Sequence, residues 1–263
     1  MSASPTTPSP QEKHLDRMVA LARTFAIREI NPDHDAYQRL AKRQGELNTG
    51  LTALLRHLMG EVPVYALAKS ILGGDFITVG EIMAARPDIT YSFEQVAKLA
   101  ATIPSEDVLR SLKENGYGLM PRPPKAISLL DIRSTRPSYF YSRTGGWYAD
   151  QAFARDDMTG SGWLAIKKTP VNGSLSKNWD EQNKLLSNVE QVPNVVEMSW
   201  FITIFFDVRG VRPFEKVYVR TNSLGSGGTR VYVGFFDVEG LGINDDLDDD
   251  RDDHLGLASA RKF

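Results

Sequence analysis

The feature that most constrains the fold is residues 195–206, which read VVEMSWFITIFF and are apolar on nearly every side. A segment without a polar face has to be covered all round, so its domain must be built around it. Periodicity alone fits either a buried helix or a buried strand. The unbroken length of about 12 residues, together with Asn194 as an N-cap residue, favours a helix.

Composition narrows the class of protein. The 263 residues carry a formal net charge of −2, so the chain has no field that recruits nucleic acid strongly. The absence of cysteine excludes disulfides, thiolate metal sites and cysteine nucleophiles. No apolar run reaches the roughly 18 residues of a spanning helix, and residues 1–10 lack the parts of a secretory signal. We therefore expect no membrane insertion, no nucleic-acid partner and a cytoplasmic location, with other export routes left open.

The periodicity changes at a proline-rich segment, and this change predicts two domains. Residues 1–10 read as a disordered polar tail, and residues 11–120 carry the three- and four-residue apolar spacing of an all-helical domain. Residues 121–126 are rich in proline, which removes donors and fixes φ, so they predict a linker. Residues 127–263 predict a mixed α/β domain. The expected fold class is therefore α+β, with the helical domain first.

Individual elements follow from the same patterns. The sequence predicts helices at residues 11–30, 35–59, 63–72, 79–85, 93–101, 106–114 and 177–186. It predicts buried strands at residues 127–132, 139–141 and 163–166. Ser92 and Gln95 form a capping box before the fifth helix. Residues 225–228 (GSGG) are interpreted as the turn of a hairpin between 217–220 and 230–234, because no helix follows them as a phosphate loop requires.

Two helices, 93–101 and 106–114, raise the alternative of a helix-turn-helix. Their basic residues Lys98, Arg110 and Lys113 are balanced by four acidic ones. A phosphate-tracking face would carry a clear basic excess. Packing or oligomerisation is therefore the favoured role for these helices, and a homo-oligomer is compatible with them.

The C-terminal end combines an apolar frame with an acidic run that no core would accept. The frame alternates as a strand does, and its members are Val217, Val219, Val231, Val233, Phe236, Leu241, Ile243, Leu255 and Leu257. The run comprises residues 244–250 (NDDLDDD) followed by residues 252–254 (DDH). An ordered frame that carries exposed, highly polar residues is typical of a display surface.

The acidic run also raises the alternative of calcium binding. Counted from Asp245, the sixth position of a helix-loop-helix calcium loop is Asp250 where glycine is needed, and the twelfth is Gly256 in place of glutamate. That motif is absent. Irregular calcium binding by several aspartates and a simple solvated acidic loop both stay open.

No catalytic constellation is recognisable, so we expect a protein that is not an enzyme. The four histidines, of which His254 is the last, show no metal-ligand spacing. Ser226 lies in a glycine turn with no identifiable base, and no nucleophile elbow is present. The tryptophans are interpreted as packing residues in preference to a platform for sugars or bases.

Residues 220–263 resemble the variable region of diversity-generating retroelement target proteins. The residues that carry the resemblance are 210–214 (GVRPF), 219–221 (VRT), 233–237 (VGFFD), 240–241 (GL) and 251–262 (RDDHLGLASARK). In that family a reverse transcriptase that mutates adenines rewrites a C-terminal fold of the C-type lectin type, of the formylglycine-generating-enzyme kind. The resemblance is good over about the last 65 residues, loose over residues 127–199, and absent from the N-terminal domain.

The resemblance implies a non-catalytic ligand-binding protein with a variable region at about residues 231–263. The diversified face would comprise Phe235, Gly242, Asn244, Asp245, Asp246, Leu247, Asp248, Asp249, Asp250, Asp252, Asp253 and His254. The invariant scaffold would comprise Gly234, Phe236, Leu241, Ile243, Leu255 and Gly256. The oxidase of that fold works through cysteines, so its chemistry is excluded here.

We expect no cofactor and no metal, with calcium binding left open. The partner would be a protein or another macromolecule, and an acidic face favours a basic one. The alternative from another class is a calcium-dependent lectin or adhesin that uses residues 245–253. An enzyme of unidentified type is the third alternative.

Overall fold

The computed structural model describes residues 63–263, which contain eight α-helices, eight β-strands and three short 3-10 helices. The fold of this part is therefore mixed α and β, in agreement with the expected presence of both. The predicted tail at residues 1–10 and the predicted helices at 11–30 and 35–59 lie outside the described residues.

Five of the eight described helices begin at side-chain caps that can be read in the sequence. The eight are α1 (Pro63–Leu72), α2 (Val79–Ala85), α3 (Phe93–Ala101), α4 (Glu106–Glu114), α5 (Leu129–Thr135), α6 (Ala152–Asp156), α7 (Trp179–Asn183) and α8 (Val195–Arg209). Capping boxes satisfy the first amides of α2, α3, α5, α7 and α8. The predictions for α1 to α4 are confirmed with the same bounds.

The strands form two four-stranded sheets. They are β1 (Tyr117–Pro121), β2 (Trp163–Lys167), β3 (Glu190–Gln191), β4 (Tyr218–Leu224), β5 (Arg230–Gly234), β6 (Gly242–Asp246), β7 (Leu255–Leu257) and β8 (Ala260–Arg261). The first sheet has the antiparallel order β1-β2-β8-β3. The second, called the C-terminal sheet here, has the order β6-β5-β4-β7, and only its β4–β7 pair is parallel.

Helix α8 confirms the prediction of a buried helix and lies at the centre of the described fold. Ten of its residues are buried, and it contacts α2, α5, β2, β4 and β5. Gly118 of β1 approaches it so closely that a Cβ there would lie 2.9 Å from Cζ of Phe201. The helix ends at Gly210, whose φ of 68° is the left-handed conformation of a glycine cap. Both sheets therefore share one core.

The predicted linker at residues 121–126 differs from the structure. Residues Pro63–Phe263 form one compact unit, so the chain does not divide there. Pro121 is the last residue of β1 and pairs with Trp163, a position at a strand end where a proline is tolerated. The amide of Arg122 then donates to the carbonyl of Gly162 at 2.8 Å. The proline cluster ends a strand and does not separate two domains.

Three further element predictions need correction. Residues 127–132 are not a strand, because Ser128 and Asp131 cap each other and start α5. Residues 139–141 contribute only an isolated bridge between Phe140 and Leu241. The helix predicted at 177–186 is reduced to the five residues of α7. In contrast, the strand at 163–166 and the hairpin of β4 and β5 are confirmed.

Candidate ligand-binding surface

The two faces of the C-terminal sheet differ in chemistry because strand side chains alternate. Val219, Val231 and Val233 point to the buried face, and α8 contacts the strands that carry them. The registry places Tyr218 opposite Gly234, and Tyr232 opposite both Arg220 and Asn244, so these side chains share the other face. We call this second face the outer face.

A cavity of about 270 Å³ lies on the outer face. Its lining residues are Tyr218, Tyr232, Phe235, Asp246, Asp252, His254 and Leu255. The ring centroid of Tyr218 lies 4.9 Å from that of Tyr232 and 4.7 Å from that of Phe235. Phe235 adopts a φ of 44°, a left-handed conformation that is rare for a bulky residue. The backbone is thus held in an unfavourable conformation where the ring of Phe235 joins the cavity.

Residues 247–254, called the acidic loop here, are held in place through their main chain. The carbonyl of Asp248 accepts from the amide of Trp179 at 2.9 Å, and that of Asp252 accepts from the amide of Ser176 at 2.9 Å. The carbonyl of His254 accepts from the amide of Tyr218 at 2.8 Å. None of these three bonds uses a side chain of the acidic loop. These three bonds hold the loop from outside it, and two bonds within the loop add to them, from the amide of Leu247 to the Asp250 carboxylate at 3.2 Å and from the amide of His254 to the Asp252 carboxylate at 2.6 Å.

A buried arginine donates a fourth hydrogen bond to a main-chain carbonyl of the acidic loop. Arg220 is fully buried, and its Nη2 donates to the carbonyl of Asp250 at 2.9 Å. Its Nη1 donates to the carbonyl of Lys177 at 3.0 Å and to Oε1 of Gln182 at 3.2 Å. Burial lowers the pKa of the Arg220 guanidinium, and the charges of the nearby aspartates, first among them Asp246, oppose that effect. Arg220 thus connects β4, the start of α7 and the acidic loop.

Some side chains of the acidic run also bind elsewhere in the fold. Asp248 accepts two hydrogen bonds from Arg230, at 3.2 and 3.1 Å, and this guanidinium lies 3.9 Å above the ring of Trp179. Asp245 accepts a hydrogen bond from the hydroxyl of Thr229. These two aspartates therefore contribute to folding as well as to the surface charge.

The remaining acidic side chains crowd one another. Burial and a hydrogen bond to Asp250 raise the pKa of Asp246. Nδ1 of His254 lies 2.7 Å from a carboxylate oxygen of Asp253. Ligand atoms of Asp252, Asp253 and His254 lie within 4.8 Å of one another, which is close enough to share a metal ion, although all three side chains are exposed. Exposed acidic groups with this spacing are common without a metal.

The predicted face is largely accessible in the structure. Exposed positions are Asn244, Leu247, Asp249, Asp252, Asp253 and His254. Half-buried positions are Phe235, Asp245, Asp246, Asp248 and Asp250. Gly242 differs from all of them, since it is buried and a Cβ there would lie 2.4 Å from the Tyr218 hydroxyl oxygen. Gly242 is therefore the one position of the predicted face that is buried, and a side chain there would meet Tyr218.

Sequence reasoning missed two residues of this surface, Tyr218 and Tyr232. The signal was available, because both alternate with the valines that the apolar frame assigned to the core. A hairpin that buries Val219, Val231 and Val233 must direct these tyrosines to the opposite face. Only the distance between the two rings required the structure.

Comparisons with known protein families, with curated proteins and with solved structures find no match. Among residues 63–263, no helix has the length and apolar character to cross a membrane.

Proposed function

We propose that this chain is a non-catalytic binding protein whose acidic loop and outer face contact a macromolecular ligand and are diversified by a retroelement. The observation that carries the proposal is the anchoring of the acidic loop through four of its own carbonyl groups. Backbone acceptors are present whatever side chain a position carries. Substitution of the outward residues therefore leaves all four bonds available.

Burial along the C-terminal sheet supports the same proposal. Every position that the resemblance assigns to the scaffold is buried, namely Gly234, Phe236, Leu241, Ile243, Leu255 and Gly256. All the positions assigned to the ligand face are at least partly exposed, except Gly242. A C-type lectin type of fold is part of this proposal, because the resemblance implies it.

The lack of space around Gly234 explains why this scaffold position must be a glycine. A Cβ at this residue would lie 2.1 Å from the carbonyl oxygen of Val217, closer than any real contact. Only glycine therefore allows β4 and β5 to approach at this point. A diversified face on a fixed scaffold requires positions that tolerate substitution next to positions that do not.

The proposal is tested by sequencing the DNA around this gene in many individuals of its population. We expect a reverse-transcriptase gene nearby and a near-copy of codons 231–263 that differs from the gene only where the copy has adenine. We also expect codon 242 to be uniform and codons 249, 252 and 253 to vary. Uniform codons 244–254, with no such copy, would contradict diversification.

A calcium-dependent lectin or adhesin is the second candidate function. The observation in its favour is the approach of Asp246 to Asp250 and of Asp252 to Asp253, since a cation would relieve repulsion between such carboxylates. Calcium titrated against the melting temperature separates the two functions. A site bound only in the native state raises the melting temperature with calcium concentration, and an unchanged value removes this candidate.

A further inference from the structure

The cavity on the outer face combines three aromatic rings with two carboxylates. Tyr218, Tyr232 and Phe235 line it together with Asp246 and Asp252. We propose that this cavity binds the cationic head of an arginine or lysine side chain on a protein partner. The inference rests on the proposed function, because it names the ligand chemistry of the same surface.

The three aromatic rings of the cavity are suited to binding a cation. A cation near the face of an aromatic ring is attracted by the ring quadrupole. Burial raises the pKa of Tyr232 to about 12 and also raises the pKa of Tyr218, so both phenols stay protonated at neutral pH. The ring of Phe235 completes the cluster, with its centroid 6.1 Å from that of His254. The rings are therefore neutral π-surfaces gathered at one place.

The two carboxylates of the cavity are also suited to binding a cation. Burial and the hydrogen bond to Asp250 disfavour the ionised form of Asp246. A cation placed beside two crowded carboxyl groups stabilises their ionised forms. Among the described residues, neither Asp246 nor Asp252 forms a salt bridge with a lysine or arginine, although Asp248 does so with Arg230. Within residues 63–263, both carboxylates of the cavity therefore lack a lysine or arginine partner, and one oxygen of each accepts a backbone amide, that of Leu247 for Asp246 and that of His254 for Asp252.

The hydrogen bonds of Arg220, the nearest guanidinium, go to other partners, although its charge also acts on Asp246. The guanidinium of Arg220 donates to the carbonyls of Lys177 and Asp250 and to Gln182. His254 lines the cavity, but its Nδ1 lies 2.7 Å from Asp253. An incoming cation thus meets Asp246 and Asp252 without displacing a lysine or an arginine, although it also approaches the imidazole of His254, whose Nδ1 lies 3.8 Å from Asp252.

The small volume of the cavity and the acidic residues of the loop favour a protein side chain as the ligand. Its volume of about 270 Å³ lies just below the range of roughly 300–1,000 Å³ that holds drug-sized ligands. It fits a single head group with room for water. The exposed carboxylates of Asp249 and Asp253 in the same acidic loop would complement a basic protein surface, as charge complementarity across an interface requires.

The test uses the full chain and two small probes that differ in charge but hardly in shape. The probes are N-acetylarginine methylamide and N-acetylcitrulline methylamide, followed by chemical-shift titration in nuclear magnetic resonance. We expect the arginine probe to shift the signals of Tyr232 and Phe235 and to bind at least about fivefold more tightly, the factor for about 1 kcal/mol of cation–π attraction. Equal binding of the two probes would overturn the proposal.

Matched variants locate the site. Asp246→Asn and Asp249→Asn each remove one negative charge, but only the first lies in the cavity wall. We expect the first to weaken binding of the arginine probe about fivefold or more and the second to change it less than about twofold. Phe235→Gly removes a ring at a φ that glycine accepts, so its fold is retained while binding weakens. Equal weakening by the two asparagine variants contradicts a site in the cavity.

The outcomes for the cavity and for the proposed function are distinguishable. If the arginine probe does not bind but codons 244–254 vary in the population, the cation proposal fails and the display surface stands. If the probe binds in the cavity but those codons are uniform, the cation site stands and diversification fails. A site that also accepts free basic amino acids as tightly as the blocked probe contradicts the choice of a protein side chain.

Discussion

Helix α8 and the acidic loop are held in place by opposite means. The helix is surrounded by both sheets and two helices, and its stability comes from closely packed side chains, where a change of volume leaves a cavity or a clash. The acidic loop is held by hydrogen bonds from Ser176, Trp179, Tyr218 and Arg220 to its own carbonyls. Side-chain identity should therefore matter greatly in the first region and little at most positions of the second, where Asp248 is the exception because it pairs with Arg230.

The largest effect is expected from truncation inside α8. Phe201 is fully buried and meets β1 at Gly118. Phe201→Ala removes those contacts and leaves a cavity, so the free energy of unfolding should fall by about 3–5 kcal/mol. Urea unfolding followed by circular dichroism measures this value. A loss below about 1 kcal/mol would mean that α8 is not the shared core.

The next effect tests the residue that fixes the acidic loop. Arg220→Met keeps much of the buried volume but leaves the carbonyls of Lys177 and Asp250 without their donor. We expect a loss of about 2–3 kcal/mol, since each unsatisfied buried acceptor costs about 1–3 kcal/mol. Cleavage of residues 247–254 by a protease that cuts before aspartate should also accelerate.

The control for Arg220 is Arg251→Met, which removes a guanidinium from the acidic loop itself. Arg251 pairs with Glu181 at 2.6 Å, but its side chain is half exposed. An exposed pair contributes roughly 0–1 kcal/mol, so this variant should unfold almost as the parent does. Similar losses for the two arginines would remove the contrast between a buried anchor and a surface pair.

Gly242 is a buried position of β6 two residues before the exposed Asn244. A Cβ at this position would lie 2.4 Å from the Tyr218 hydroxyl oxygen and 3.0 Å from its Cε1, so the ring must move. Gly242→Ala should lower the free energy of unfolding by about 1–3 kcal/mol, as overpacked sites do. Asp249→Ala, a neighbour on the surface, should change it by no more than about 0.5 kcal/mol. Thermal unfolding of both proteins makes the comparison.

A smaller effect is expected for Glu190, which holds the first sheet together by its side chain. Burial disfavours its charge, but hydrogen bonds from Tyr117, Ser187 and Ser259 outweigh burial and lower its pKa to about 2, from an ordinary value of 4.5. A depressed pKa stabilises the fold fully above pH 4.5, and this contribution is lost as the pH falls towards 2.

The variant Glu190→Gln tests that assignment. It should cost about 1 kcal/mol at neutral pH, after discount for partial exposure. It should also flatten the dependence of stability on pH in the acid range. An unchanged pH profile in the variant would assign the acid sensitivity of the fold to other carboxyl groups.

The sequence predicted those parts of the fold whose signals are local. The capping box of Ser92 and Gln95 and the stops at glycine gave the bounds of the early helices. The apolar spacing of residues 127–132 was misread as a strand because it fits both structures, and the Ser128–Asp131 box decides in favour of a helix. The proline cluster was misread because its first proline pairs with Trp163, a partner remote in sequence.

The candidate site also has features that the sequence predicts and features that it does not. Exposure of the acidic run follows from composition, since aspartates are rarely buried unless paired. The anchoring of the loop does not follow, because the donors Ser176, Trp179 and Arg220 lie far earlier in the chain and meet the loop only after β7 pairs with β4. The cavity depends on the register of β4 and β5, which no local pattern specifies in full.

The claim that the acidic loop tolerates substitution is tested most directly by comparing two libraries of full-chain variants. The first randomises five outward positions of the acidic loop, Leu247, Asp249, Asp252, Asp253 and His254. The second randomises five buried positions of the same region, Val219, Val231, Val233, Phe236 and Leu241. Resistance to a protease is measured for every member of each library.

We predict that most members of the loop library keep the resistance of the parent, within about 0.5 kcal/mol, and that few members of the buried library do. That result would mean that the acidic loop keeps its path through its main chain. If the loop library loses resistance as often as the buried library, the loop side chains hold the fold, and the account of a substitution-tolerant display surface is contradicted.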